Sequence, residues 1–304
     1  MRSTASTALP SPGRTSPTRR SVVPTAAVGR IGSLAIEYVR QGERTVFGRT
    51  NCRTPWHLLP PIYLDESGSA YTLLVNPSGG LVGGDHLSIH LSVGPKAHVL
   101  ISTPSANRVY RSLSHEAIHT VTIAVADGGI LEWMPEHTIP FAGSRFRQSI
   151  DVTLGHGAVV VLWDAVASGR IAQGERWRFT SVNNHIHIRM PSQGSLCEQY
   201  ALSPAEIDGG LGAAQEWDYV GSLFIVGDGV SATHWSSLEA ALAAIVGEYR
   251  DQSVLGGVSQ PAVSGVVVKL VAKSAPVMTH ILMDMWAAVR RLLWQMPRAD
   301  LRKY

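Results

Sequence analysis

Asp85 stands at the end of two glycine pairs, Gly79-Gly80 and Gly83-Gly84, in the stretch VNPSGGLVGGDHLSIHLSV of residues 75–93. Glycine accepts positive φ and lets another backbone or a ligand come close, so two pairs in six residues specify a tight, shaped loop. Phosphate chemistry does not fit it. Gly79 and Gly84 have the P-loop spacing, but Asp85 and His86 follow where a lysine and a hydroxyl are needed, and an aspartate repels phosphate. The G-x-G-x-x-G of dinucleotide sites is absent too. On residue pattern alone a glycine-rich hairpin connection also accounts for the stretch. Acid–base chemistry would need Asp85 to converge with Asp164, Glu175 or Glu198, which lie far apart in sequence, and no G-x-S-x-G nucleophile elbow occurs. The twelve histidines include His86/His90 and His185/His187, each pair on one face if its segment is a strand, yet HEXXH and Cys/His finger spacings are missing. His185 and His187 alternate with Ile186 and Ile188, which predicts a solvent-facing pair.

The elements that must position these residues are strands. Leu87, Ile89, Leu91 and Val93 alternate with Ser88, His90 and Ser92, so the loop hands Asp85 to the start of a half-buried strand. Similar apolar runs recur from Leu34 to Met190, among them YTLLV, AHVLIST, HTVTIAV, GILEWM, QSIDVTL, AVVVLWD and HIHIRM. Turn signals separate them at Gly94-Pro95, Asp127-Gly128-Gly129, Gly155-His156-Gly157 and Asn183-Asn184. This spacing predicts a mainly β (α+β) fold, an elongated meandering antiparallel structure without a strict repeat. Two helices are predicted in the C-terminal third. Ser236 to Glu239 reads as a capping box opening ALAAIVGEYR. Pro276 opens a second helix, whose stripe of Met278, Ile281, Leu282, Met285, Trp286, Val289, Leu292 and Leu293 leaves Asp284 and Arg290-Arg291 outside.

Composition bounds the function classes. Residues 1–30, rich in Ser, Thr, Pro and Arg, read as a disordered basic tail, and residues 31–304 as a single β-rich domain. The tail holds five of the 26 basic residues and no acid; the remaining 21 meet 23 acidic ones, so the body is net −2. That balance argues against nucleic acid as a partner. No apolar run reaches a membrane span, and two cysteines, Cys52 and Cys197, make neither a disulfide framework nor a Cys-rich zinc site. A cytoplasmic location fits.

NPSGGLVGGDHLSI, with ISTPSANRVYRS at residues 101–112, resembles the UreD/UreH family of urease accessory proteins. The family's loop reads close to HPPGG-(I/L)-VGGD, so Asn76 and Ser78 depart from the commoner His and Pro. Further likeness lies in LEWMPE, in WDAVASGRIAQGE and in WAAVRRLL…MPR, spanning roughly residues 35 to 298. The resemblance implies a non-catalytic scaffold, a chaperone of nickel insertion in nitrogen compound metabolism. It implies docking on apo-urease with accessory proteins F and G, the latter a GTPase. No cofactor is held stably; nickel passes transiently. The matching positions are Asp85, Asp164 and Glu198 as transient nickel ligands, Asn107 and Glu175 as polar conduit, and Gly79, Gly80, Gly83 and Gly84 as the structural loop. Carboxylates and amides suit a conduit because they release Ni²⁺ more readily than imidazole or thiolate. A β-rich hydrolase with convergent carboxylates is the alternative.

Overall fold

Period-two alternation becomes strand through the first two thirds of the chain. The computed structural model describes residues 29–191, 194–204, 216–250 and 253–301. The predicted tail therefore lies, apart from Gly29 and Arg30, outside the described residues. Among the described residues strands make up 48% and the two helices fall in the C-terminal third, so the protein is mainly β, as its patterning implied. In chain order the strands are β1 (Ile31–Gln41), β2 (Arg44–Cys52), β3 (His57–Leu58), β4 (Ala70–Val75), β5 (His86–Val93), β6 (His98–Ser102), β7 (Asn107–Val109), β8 (Ala117–Val125) and β9 (Ile130–Met134). They continue with β10 (Thr138–Pro140), β11 (Arg145–Leu154), β12 (Val159–Ala167), β13 (Ser181–Met190), β14 (Gly194–Leu202), β15 (Tyr219–Gly227), β16 (Val254–Ser259) and β17 (Gly265–Ala272). The helices are α1 (Ala232–Tyr249) and α2 (Ala275–Trp294).

Two sheets result. The first runs β14-β13-β11-β8-β5-β1-β2; the second runs β16-β17-β15-β12-β9-β6-β4-β3, with β7 and β10 attached beside β12. Strand pairing departs from the predicted antiparallel meander. The centre of each sheet is parallel, through β1, β5, β8, β11 and β13 in the first and β4, β6, β9 and β12 in the second. Antiparallel pairing is confined to the flanks. The chain coils, crossing from the first sheet to the second through the short turns 94–97, 126–129 and 155–158. Each turn puts its third residue at positive φ: Lys96 at 56°, Gly128 at 64° and Gly157 at 66°. The turns stack, Lys96 N donating to Asp127 O (3.1 Å) and Gly128 N to His156 O (2.8 Å). A tight turn can join hairpin partners or step between facing sheets, and alternation does not say which; that is why the patterning pointed to a meander.

Between the sheets, Leu34, Ile89, Val121, Ile150 and Ile186 pack against Val99, Ile101, Leu131, Val160, Leu162 and Phe224. On the other face of the second sheet, Val161, Trp163, Ile225 and Val268 pack under Trp235, Leu238, Leu242, Ile281, Met285 and Trp286 of the helices. Each fully buried aliphatic contributes roughly 1.5–3 kcal/mol. Burial on both faces explains why β12, VVVLWDAVA, shows no alternation. Helix α1 starts earlier than its capping-box reading, because Ser231 Oγ accepts from His234 N (3.3 Å) ahead of the Ser236 signal. Helix α2 buries its predicted stripe from Met278 to Val289 and half-buries Leu292 and Leu293, but Arg290, expected off it, is 0% exposed. No helix among the described residues is long and apolar enough to cross a membrane.

Candidate functional site

Four polar side chains interrupt the apolar inner face of the first sheet at one register. His119 on β8 pairs with Gln148 on β11, Gln148 with Asn184 on β13, and Asn184 with Tyr200 on β14. They form one row across four adjacent strands. The second sheet faces it with its own row, Asp164 on β12 opposite Ser222 on β15, and Ser222 opposite Lys269 on β17. In-phase apolar neighbours hold each member in place: Phe146 and Ile150 flank Gln148, Val182 and Ile186 flank Asn184, and Leu162 and Val166 flank Asp164.

Asp164, 7% exposed, is where the rows meet. It accepts from Gln148 Nε2 (2.9 Å), Asn184 Nδ2 (2.9 Å) and Tyr200 OH (3.2 Å). Burial raises its pKa above the ordinary carboxylate range, against the lowering effect of those hydrogen bonds and of the Lys269 charge. Burial and the Asp164 charge push the Tyr200 hydroxyl well above its usual value, so it stays protonated and donating. Further along, Glu198 on β14 reaches across the gap. It accepts from Ser222 Oγ (3.0 Å) and is ion-paired with Lys269, whose ammonium burial depresses to about 8. Lys269 Nζ also donates to Ser222 Oγ (3.1 Å). A polar row thus runs from Asp164 past Ser222, its register partner, to Glu198 and Lys269, where it reaches the protein surface.

At its other end the line opens into a cavity of about 120 Å³, lined by His119, Gln148, Asp164, Trp133 and Trp56, and reaching Asn76, Gly79, Gly80, Thr103, Pro104 and Asn107. Burial drives His119 down to about 4, opposed by its contact with Gln148 Oε1 (3.3 Å), so the imidazole is neutral at pH 7. Its Nε2 is buried without a hydrogen-bond partner. The glycine loop builds the cavity wall. Gly80 (φ 150°) passes so close to β7 that a Cβ there would meet Arg108 O at 2.4 Å, while Leu81 N donates to that same oxygen (2.8 Å).

The predicted residues are placed as follows. Asp164 and Glu198 lie on the polar line, and Asn107 lines the cavity. Asp85 is buried in the loop, Oδ1 accepting from Arg30 N (2.8 Å) and Oδ2 from Val82 N (2.9 Å). Glu175 sits in the connection after β12, paired with Arg170 through Nε (2.8 Å) and accepting from Ala142 N (3.2 Å). Arg170 lowers the Glu175 pKa through that pair. Neither Asp85 nor Glu175 bonds to the line. Sequence reasoning missed Gln148, Asn184, Tyr200, Ser222 and Lys269; the available signal was a polar residue in the apolar phase of a strand, as in FRQSI and VNNHI. Among the described residues, no three His, Cys, Asp or Glu side chains are gathered to hold a metal ion.

Asp85's partners give a direct prediction. Asp85→Ala strands two backbone N–H groups and is expected to cost about 1–3 kcal/mol, read as a lowered urea midpoint. Asp85→Asn keeps one acceptor and is expected to lose less. An unchanged midpoint for the alanine variant would remove the loop-holding role.

Comparison with known proteins covers nearly the whole of the described body. The family model described as UreD urease accessory protein matches residues 30–303. The Urease accessory protein UreD of Cupriavidus pinatubonensis is 29% identical over 271 residues, 89% of this chain and 92% of that one. That of Paracidovorax citrulli is 31% identical over 86% of this chain and 94% of its own. Urease accessory protein UreD 2 of Streptomyces griseus subsp. griseus is 32% identical over 93% and 98% respectively. With the match running through nearly every element that builds the two sheets, the chain belongs to the UreD family of urease accessory proteins and serves urease maturation.

Proposed function

We propose that this protein is a non-catalytic scaffold that docks on apo-urease together with accessory proteins F and G, in the cytoplasm, and passes nickel to the urease active site through its interior. The observation that carries the reading is the pair of facing polar rows, joined at Asp164 and continued to Glu198, with a cavity at one end. Nickel is the cargo here, not a resident cofactor. Asp164 and Glu198 are the carboxylates of the route, and Asn107 presents an amide at the cavity wall. Asp85 fixes the entrance loop and Glu175 anchors the turn after β12. Hard oxygen donors spaced along a line, with no three gathered into a closed site, exchange an ion rather than keep it. The hydrolase alternative finds less support, because Asp85 and Glu175 are engaged away from Asp164 and Glu198 is matched by Lys269.

Co-purification tests the docking. Tagged protein expressed with the urease subunits and accessory proteins F and G is expected to bring all of them down, and urease matured in its presence to carry nickel. Recovery of the tagged protein alone, with urease equally loaded in its absence, would sink the proposal.

A further inference from the structure

Cys197 and His185 meet on the outer surface of the first sheet, away from the polar rows. Cys197 Sγ lies 3.4 Å from His185 Nε2. Cys197 pairs across β13 and β14 with His187, and His185 is two residues along on the same face. The two imidazole centroids are 6.0 Å apart. One strand further in, Asp151 stands opposite His187, its Oδ1 3.7 Å from His187 Nδ1 and 3.3 Å from Arg189 Nη1, while Arg189 Nη1 donates to His187 Nδ1 (2.8 Å). The Cys197 thiol is free and exposed, and Cys52 belongs to β2 at the opposite edge of the sheet.

A tetrahedral ion with a metal–sulfur bond of about 2.3 Å and a metal–nitrogen bond of about 2.0 Å separates those two ligands by about 3.5 Å. The Cys197–His185 spacing is that of two ligands sharing one ion. We infer that Cys197, His185 and His187 form a surface site for a borderline divalent transition-metal ion, of the class of Ni²⁺, Zn²⁺ and Co²⁺. Thiolate with imidazole selects this class over Mg²⁺ and Ca²⁺. On binding, the thiol gives its proton to solvent and its sulfur lone pair to the metal; His185 donates through Nε2. His187 is not yet gathered with the other two, so the ion draws it in by side-chain rotation. The ion takes the Nδ1 lone pair of His187 in place of the Arg189 contact, and Arg189 stays paired with Asp151. The Arg189 charge is matched by the same Asp151. The site uses none of the inter-sheet residues and does not rest on the nickel-route reading. Where the route offers exchangeable oxygen donors, this set retains its ion.

Full-length protein, kept reduced with a phosphine, is titrated with Co²⁺. One equivalent is expected to give thiolate-to-cobalt charge-transfer absorption in the near ultraviolet, displaced by Zn²⁺ or Ni²⁺. Cys197→Ser is expected to abolish the band, and His185→Ala and His187→Ala each to weaken binding at least about tenfold. Cys52→Ser is expected to leave it intact. Cys52 and Cys197 are exposed and the two histidines half-buried on the outer face of the sheet, outside its core, so circular dichroism should not change. Independently of any variant, Zn²⁺ should slow alkylation of Cys197 at least about tenfold, read by mass spectrometry. No band in the wild-type protein, a band that survives Cys197→Ser, affinity untouched by both histidine changes, or unprotected alkylation would each overturn the site.

Discussion

Asp164→Asn is expected to reduce nickel loading of urease at least about tenfold while leaving the protein folded and assembled with its partners. The side chain stays nearly isosteric and keeps an acceptor, and the Gln148 and Asn184 amides can turn to match it. What disappears is the ionisable group at the junction of the two rows. A structural aspartate would behave differently, and the pKa direction decides between them. Burial raises Asp164 above the ordinary carboxylate range. The folded chain therefore binds a proton that the unfolded chain has released. That stability is complete at acid pH and is lost as pH rises through the folded pKa. Removing the ionisation should flatten this slope and leave the variant at least as stable as wild type at pH 7. Loss of loading with undiminished stability supports a role in transfer. Wild-type loading by a folded Asn variant would remove Asp164 from the route.

The largest effect on stability is expected at Glu132, which is 0% exposed beneath α2. His98 Nε2 lies 2.6 Å from its Oε1, and Trp286 Nε1 donates to Oε2. Arg290, also 0% exposed, brings Nη1 to 3.7 Å from Oε1 and donates through Nη2 to Asp65 Oδ2 (2.7 Å). Nε and Nη1 of that arginine have no hydrogen-bond partner, so its charge depends on the two carboxylates nearby. Glu132→Ala leaves a buried guanidinium with one counter-charge and strips partners from His98 and Trp286. The expected cost is about 3–5 kcal/mol, a large part of the roughly 5–15 kcal/mol that holds a domain together. Pairing it with Arg290→Leu should recover part of the loss, since the stranded charge goes with it. Denaturant titration reads both, and a Glu132→Ala cost under about 1 kcal/mol would mean that water already satisfies the network.

The β class, the two C-terminal helices and the glycine loop were legible in the sequence because each is a local matter. Alternation at Leu87 to Val93 follows from one buried face, and the stripe on α2 from 3.6-residue periodicity. Strand direction was not legible. Whether the turns at Lys96, Gly128 and Gly157 close a hairpin or step to the facing sheet depends on partners far along the chain. The parallel coil uses the same turn residues that a meander would use.

The same division applies to the site. Asp164, Glu198 and Asn107 were reached through resemblance, and the residues that give them meaning were not. Gln148, Asn184 and Tyr200 sit at positions that read as ordinary strand interruptions until register aligns them. Ser222 and Lys269 become relevant only because their strands flank β12. Arg290 shows the converse, a charge placed off an apolar stripe by sequence and buried by two distant carboxylates. Sequence alone determined which segments bury one face and which residues are charged. Tertiary structure decided which charges face each other, because register and sheet packing set distances between residues that the chain separates by tens of positions.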